Sequence, residues 1–113
     1  MTPKDEKNFQ LLDLLQHDPA LSQREMADRM RVSLGSVNYC LGGLVEKGHV
    51  RVKNFRNSDN KRRYVYVLTP SGIRKRSALL AEFLKRKTAE YNSLKADIDR
   101  LAQELGDGSG RAS

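Results

Sequence analysis

The chain has 113 residues, with 21 lysines and arginines against 14 acidic residues, so its formal net charge is +7 and its pI is near 9.8. This length suits one compact domain with a small appendage, and the basic excess favours a polyanionic partner. No apolar run approaches the roughly 18 residues of a membrane span, no signal-peptide pattern is present, and the single cysteine cannot form an internal disulfide, so we expect a soluble cytoplasmic protein.

The first predicted element is a helix over residues 4–16. This run holds Phe9 and four leucines, and it ends before His17-Asp18-Pro19 because proline cannot continue a helix. His17 stands where a cation favours the helix C-terminus. No second histidine, cysteine pair or acid cluster is spaced to join it, so a structural role is preferred to a catalytic one.

Two further helices are predicted at Ser22–Met30 and over residues 33–48. The first is supported by the capping-box spacing of Ser22 and Glu25. The second is supported by the hydroxyl of Ser33 at the N-cap position and by Gly48, which can take a positive φ after the last turn. The stretch between them leaves room only for a tight turn. This order predicts a helix-turn-helix, whose second helix enters the DNA major groove. An ordinary helical hairpin in a core is the alternative.

The second of these helices has two distinct faces. Its apolar stripe comprises Val37, Leu41, Leu44 and Val45, and its opposite face is small or polar and has no acid. Cys40 lies toward the apolar side, which favours a buried thiol over a redox sensor. The predicted DNA contacts of the recognition helix are Ser33, Leu34, Gly35, Ser36, Asn38 and Tyr39. Ser22 and Gln23, at the start of the preceding helix, are predicted to contact the DNA backbone.

After Gly48 the pattern changes from helical to alternating. His49–Phe55 and Tyr64–Thr69 are predicted strands, with Val50 and Val52 on the inner face of the first. Residues 51–63 contain six basic side chains and one acid, Asp59, which is interpreted either as a partner for a nearby arginine or as a turn residue. A basic hairpin after a helix-turn-helix predicts a wing, although a merely solvated loop is the alternative. The predicted phosphate contacts are Arg56, Lys61, Arg62 and Arg63.

The stretch Ala20–Ile73 resembles the winged-helix domain of the MarR-type regulators, and it is most similar to the exopolysaccharide-associated subgroup. The motifs that carry the resemblance are SQRE from Ser22, VSLG from Val32, VNYC from Val37, KNF from Lys53 and LTPSGI from Leu68. The resemblance implies a transcriptional regulator that binds double-stranded DNA, with exopolysaccharide synthesis genes as targets. The sequence departs from the family pattern at Gly42-Gly43, where each glycine costs about 1 kcal/mol relative to alanine.

Beyond Ile73 a long helix is predicted to Leu105. Its seam follows alternating steps of four and three: Leu80, Leu84, Lys87, Tyr91, Leu94, Ile98, Leu101 and Leu105. A seam this narrow predicts a coiled-coil homodimer over residues 87–105, whereas Leu79 and Phe83 widen the stripe enough for residues 74–85 to fold back on the winged domain. Glu90 and Lys95 occupy positions that attract each other between parallel helices, so a parallel pair is predicted. Residues 106–113 are predicted to be a disordered tail.

The predicted fold is mainly α with a small β-hairpin, a winged helix-turn-helix over residues 1–73 followed by a dimerisation helix over 74–105. We predict a homodimeric, sequence-specific DNA-binding regulator without a cofactor or metal. No nucleophile-base pair, metal-ligand spacing or phosphate-binding glycine loop predicts an enzyme. The alternative is a winged helix used for protein interaction. RNA binding would require exposed aromatic platforms that the sequence does not offer. A small-molecule effector is left open.

Overall fold

The computed structural model describes residues 1–56 and 62–111. Their elements, in chain order, are α1 (Pro3–His17), α2 (Gln23–Met30), α3 (Leu34–Glu46), β1 (Val50–Arg56), β2 (Arg62–Leu68) and α4 (Pro70–Arg111). The strands form a two-stranded antiparallel sheet. The chain divides into two compact units, Met1–Ala81 and Glu82–Ser113. The predicted fold class, mainly α with a hairpin and a long C-terminal helix, is confirmed.

The first two helices begin at capping boxes. At α1 the Asp5 amide donates to Thr2 Oγ1 at 3.0 Å, and Pro3 occupies the first helical turn, where its missing N–H has no cost. At α2 the Glu25 amide donates to Ser22 Oγ at 3.1 Å, and the Glu25 carboxylate accepts from the Ser22 amide at the same distance. The sequence predicted α2 correctly, whereas α1 is one residue longer at each end than predicted.

The turn between α2 and α3 is made by a residue other than glycine in the left-handed region. Arg31 has φ 57° and ψ 45°, and the Val32 amide donates to the Ala27 carbonyl at 3.1 Å. The chain then enters α3 through Ser33, whose hydroxyl accepts from the Ser36 amide at 3.0 Å. Gly48, after the end of α3, has φ +77°, as the sequence predicted.

The core of the first unit lies among α1, α2, α3, the base of the hairpin and the start of α4. Its fully buried side chains include Leu11, Leu12, Leu15, Leu21, Met26, Val37, Leu41, Leu44 and Val50. Cys40 is buried and free, as predicted. Leu79 of α4 is also buried. The start of α4 therefore packs on the winged domain, as the wide apolar stripe over residues 74–85 suggested.

The start of α4 is held against the segment that follows α3. Thr69 caps the helix, because its hydroxyl accepts from the Gly72 amide at 3.1 Å and donates to the Gly48 carbonyl. His49 Nδ1 lies 2.8 Å from Ser71 Oγ. Partial burial lowers the pKa of His49, and nearby Lys75 and Lys47 lower this pKa further. A Cβ built at Gly72 would overlap the carbonyl oxygen of His49.

An ion pair joins α1 to α4 within the first unit. Arg76 donates to Asp13 Oδ1 from Nη2 at 2.6 Å and from Nε at 3.1 Å. The arginine side chain is only 16% exposed, so solvent screens this pair less than a surface pair. The contact fixes the rotation of α4 about its own axis at this point.

The hairpin extends further toward its turn than the sequence predicted. Cα partners run from Val50 opposite Leu68 to Arg56 opposite Arg62, and Arg63 also lies in β2. The prediction that Arg56, Arg62 and Arg63 belong to the connecting loop was therefore wrong, because backbone pairing does not depend on side-chain polarity. The structure describes these three arginines by their backbone. Lys61 and Asp59 lie outside the described residues.

Burial along β1 decreases quickly from the base of the hairpin. Val50 is buried, whereas Val52, which was predicted to lie on the same inner face, is 38% exposed. A two-stranded ribbon has no second layer of its own, so its side chains are covered only where it meets the helices.

The second unit consists of the remainder of α4 from Glu82. Its seam side chains are all exposed: Leu84, Tyr91, Leu94, Ile98, Leu101 and Leu105. Arg86 donates to Glu90 at 3.1 Å, and Lys87 donates to the same carboxylate at 3.4 Å. The helix continues to Arg111, so the prediction of a disordered tail is wrong for residues 106–111. Extending an existing helix costs much less free energy than nucleating one, so a helix can continue beyond the end of its apolar pattern.

Candidate nucleic-acid interface

The outer face of α3 is open to solvent. Leu34, Gly35, Asn38, Tyr39 and Gly42 are exposed and follow helical spacing, and Tyr39 is 72% exposed. Of the other predicted contacts on this helix, Ser33 is exposed at the N-cap and Ser36 is half-buried. The exposed residues form a continuous strip that offers amide and phenol groups at the surface.

A hydrogen-bonded chain connects this strip to the wing. Asn38 Nδ2 donates to Gln23 Oε1 at 3.2 Å, and Gln23 Nε2 donates to the Tyr66 hydroxyl at 2.9 Å. The three residues come from α3, α2 and β2. The sequence prediction included Asn38 and Gln23 but missed Tyr66. Because 43 residues separate Gln23 from Tyr66, no local spacing could have indicated this contact.

A shallow groove lies beside this chain of hydrogen bonds. It has a volume of about 260 Å³ and is lined by Ala20, Ser22, Gln23, Tyr64 and Tyr66. Tyr64 is 58% exposed, whereas Tyr66 is half-buried. The start of α2 and strand β2 therefore share one surface, on which Ser22 is exposed as the sequence predicted.

Strand β1 carries exposed basic side chains on the other face of the hairpin. Arg51 and Lys53 are exposed and alternate with Val50 and Val52, so they lie on the opposite face of the ribbon. Their Cα partners on β2 are Val67 and Val65. Neither residue was among the predicted contacts, although the alternating pattern of residues 49–55 already placed both on the outer face.

A larger cavity, of about 700 Å³, lies between α1 and α3. Its lining includes Asn8, Cys40, Gly42, Gly43 and Lys47. Asn8 is buried, and its Oδ1 has no hydrogen-bond partner among the residues that the structure describes. A Cβ built at either glycine would meet no described atom within 4 Å beyond the adjacent backbone of α3, so packing among the described residues does not require glycine there.

The part of the chain that the structure describes offers neither a membrane span nor a metal cluster. Its helices lack an apolar stretch of the length that a membrane-spanning helix needs. The same residues contain no group of three or more histidine, cysteine, aspartate or glutamate side chains able to hold a metal ion.

A helix-turn-helix whose second helix is followed by an antiparallel hairpin defines the winged helix-turn-helix fold. Residues 4–51 match the family model described as winged helix-turn-helix DNA-binding. The match covers α1 from its second residue, all of α2 and α3, and the first two residues of β1. No curated protein matches this chain significantly.

Solved structures share this fold over most of the chain. MepR of Staphylococcus aureus in complex with DNA is similar with a TM-score of 0.61 and 20% identity, covering 93% of this chain and 78% of that one. PcaV, a transcriptional regulator from Streptomyces coelicolor, has a TM-score of 0.61 and 18% identity, with coverages of 90% and 79%. A MarR family transcription regulator has a TM-score of 0.58 and 15% identity, with coverages of 89% and 73%.

Proposed function

We propose that this protein is a sequence-specific regulator of transcription that binds double-stranded DNA as a homodimer. In this proposal α3 enters the major groove and the wing follows the sugar-phosphate backbone. The observation that carries it is the exposed outer face of α3, where Tyr39 is open to solvent and Asn38 is hydrogen-bonded through Gln23 to Tyr66 of the wing. The match to a DNA-binding winged-helix model and the fold shared with MepR, which has been solved on DNA, support it.

The charge distribution supports the same proposal. Residues 33–45 contain no aspartate or glutamate, so α3 presents no negative charge to phosphate before Glu46 at its C-terminal end. Arg51 and Lys53 are exposed on the wing, and further basic residues follow them in the sequence up to Arg63. Basic side chains in such a position release counterions from DNA, which supplies affinity for any sequence. Specificity must then come from α3.

The first test concerns base readout by Asn38. Asn38→Ala is expected to weaken binding to the selected site by about 1 to 3 kcal/mol, because an amide can make paired hydrogen bonds to a base edge. Its affinity for random DNA should change little. Competition titrations on both DNAs measure the two effects, with Asn92→Ala on α4 as the control. Equal weakening on both DNAs would show that Asn38 does not read bases.

The second test concerns the wing. Neutralising one of Lys61, Arg62 or Arg63 is expected to weaken binding to all sequences similarly. The slope of log affinity against log salt should fall by about one for each phosphate that a protomer no longer neutralises. Lys85→Gln, which makes the same charge change on exposed α4, serves as the control. A slope that does not change in a salt titration would exclude the altered residue from the interface.

The proposal of a homodimer rests on the exposed seam of α4. Leu94, Ile98 and Leu101 occupy consecutive seam positions, and each is more than half exposed in the single chain. An isoleucine flanked by leucines at these alternating positions favours two parallel strands. In an antiparallel pair the flanking acids Glu90, Asp97 and Glu104 would face one another and repel, whereas a parallel pair brings Glu90 beside Lys95 of its mate. A parallel pair is therefore proposed.

Exopolysaccharide synthesis genes are the proposed targets, because the VNYC and LTPSGI motifs resemble those of the exopolysaccharide-associated subgroup. Sequencing the DNA that this protein binds in its host tests it directly. Bound sites upstream of polysaccharide genes are the expected result. The alternative function, a winged helix that binds proteins, would give no enriched DNA sequence and no salt-sensitive mobility shift.

A further inference from the structure

We infer that Tyr66 on the wing determines how α3 reads DNA, acting through Gln23 to hold the Asn38 side chain in its reading position. Tyr66 and Gln23 would then be positioning residues, and Asn38 the residue that touches the base. The inference rests on the proposed function. It adds a residue, Tyr66, that lies outside the recognition helix and outside its helix-turn-helix.

The geometry gives each side chain a defined role. Gln23 is held at both ends of its amide, because Nε2 donates to Tyr66 at 2.9 Å and Oε1 accepts from Asn38 at 3.2 Å. Gln23 and Tyr66 are half-buried, while Asn38 is exposed. The two inner members are thus partly shielded from water, and only the outer member faces the solvent where DNA would lie.

This arrangement limits the freedom of Asn38. A free asparagine amide rotates widely about its last torsion, and it can present its oxygen or its nitrogen in either direction. Donation to Gln23 fixes the Nδ2 side and leaves a second N–H and Oδ1 for another partner. A donor beside an acceptor complements the N7 and N6 groups of adenine in the major groove. Adenine is therefore the expected base at this position.

The wing contributes to readout only if Gln23 is itself held. Glutamine is among the side chains that lose most rotamer freedom when they are ordered, so one hydrogen bond to Asn38 would restrain it poorly. The Tyr66 hydroxyl supplies the second anchor, from a strand rather than from a helix. Placing functional groups on a supporting network of this kind is what keeps them within the narrow geometry that specific contacts need.

The test compares two tyrosines of the same strand. Tyr66→Phe removes the hydroxyl that anchors Gln23, whereas Tyr64→Phe removes an exposed hydroxyl two residues away. Titrations use the selected operator, the same operator changed at the base pair whose preference Asn38→Ala abolishes, and random DNA. For Tyr66→Phe the preference for the correct base pair is expected to fall about threefold to tenfold, the effect of losing one hydrogen bond. Affinity for random DNA, its salt slope and the melting temperature should stay near their original values.

Tyr64→Phe is the matched control, and it should keep the full base preference. If Tyr66→Phe keeps it too, or weakens binding to all three DNAs equally, the inference is overturned while the proposed function stands. If the unsubstituted protein itself prefers no DNA sequence, the inference and the proposed function are both overturned. The failure of the inference alone is therefore distinguishable from the failure of the proposed function.

A second pair of variants tests the relay by rescue. A carboxylate at position 23 can accept from the Tyr66 hydroxyl with one oxygen and from Asn38 Nδ2 with the other. Gln23→Glu should therefore retain the base preference, although its negative charge lowers affinity for every DNA. Gln23→Ala should lose the preference as Tyr66→Phe does. Equal loss of preference in Gln23→Glu and Gln23→Ala would contradict the relay.

Discussion

The substitution Ile98→Asp is expected to yield a folded monomer that has lost most of its operator affinity. In the proposed parallel pair Ile98 meets the same residue of its mate at the centre of the seam. Two aspartates there would be buried without partners, at a cost of several kcal/mol. The seam is short and is interrupted by Lys87, so we expect the free energy of dimerisation to be modest. The winged unit, Met1–Ala81, has its own core and should remain folded.

The loss of DNA affinity follows from valency. A dimer presents two α3 helices to one operator, and binding by the first raises the effective concentration of the second. A monomer binds one half-site and loses that gain. The intact dimer should accordingly prefer an inverted repeat with half-sites about one helical turn apart.

Sedimentation and operator titration measure these effects together. The matched control is Ala96→Asp, which adds the same charge to an exposed position of α4 outside the seam. It should remain dimeric. If Ile98→Asp also sediments as a dimer and binds the operator as tightly as the unsubstituted protein, residues 87–105 do not form the dimer contact.

The second large effect is expected for Gly72→Ala. A Cβ at this position would overlap the carbonyl oxygen of His49 and lie 2.9 Å from its carbonyl carbon. Both are backbone atoms, so no side-chain rotation can relieve the overlap. The first turn of α4 must move away from His49 and lose the bond between His49 and Ser71. We expect a loss of about 3 kcal/mol, at the upper end of the usual cost of overpacking.

Chemical denaturation provides the measurement, with Gly42→Ala as the control. Gly42 is in the exposed interior of α3 and a Cβ there meets nothing within 4 Å. Alanine at Gly42 should therefore raise the free energy of unfolding by about 1 kcal/mol through better helix propensity. Opposite signs for the two glycine-to-alanine changes are the expected result. A neutral or stabilising Gly72→Ala would show that the close approach does not occur in solution.

Local sequence signals predicted most of the helical part of the fold. The capping box of Ser22 and Glu25, the N-cap at Ser33 and the positive φ of Gly48 each depend on residues a few positions apart, so their spacing is visible in the sequence. The buried stripe of α3 follows from its period. The apolar seam of α4 was predicted from its period in the same way. Its side chains are exposed in the single chain, as the pattern predicts, and the second helix that would cover them is a proposal.

Features that depend on distant residues could not be predicted. Nothing near Gly72 indicates that His49 lies against it, and nothing near Tyr66 indicates Gln23. The hairpin boundary at Arg56 and Arg62 was missed because polar residues resemble a loop in composition but pair equally well through their backbones. The end of α4 was predicted too early because glycine has a low helix propensity. A residue added to a helix that has already formed requires no new nucleation, so the helix continues through these glycines.

The ion pair between Asp13 and Arg76 has a consequence for the order of folding. Its partners are 63 residues apart in sequence, whereas the capping contacts of α1 and α2 each span three. Closing the longer loop costs more chain entropy, and contacts of high sequence separation slow folding. The helix-turn-helix can therefore organise around its local caps before α4 docks. Opening of the native unit should begin with the reverse step, in which Arg76 separates from Asp13 while α2 and α3 remain paired.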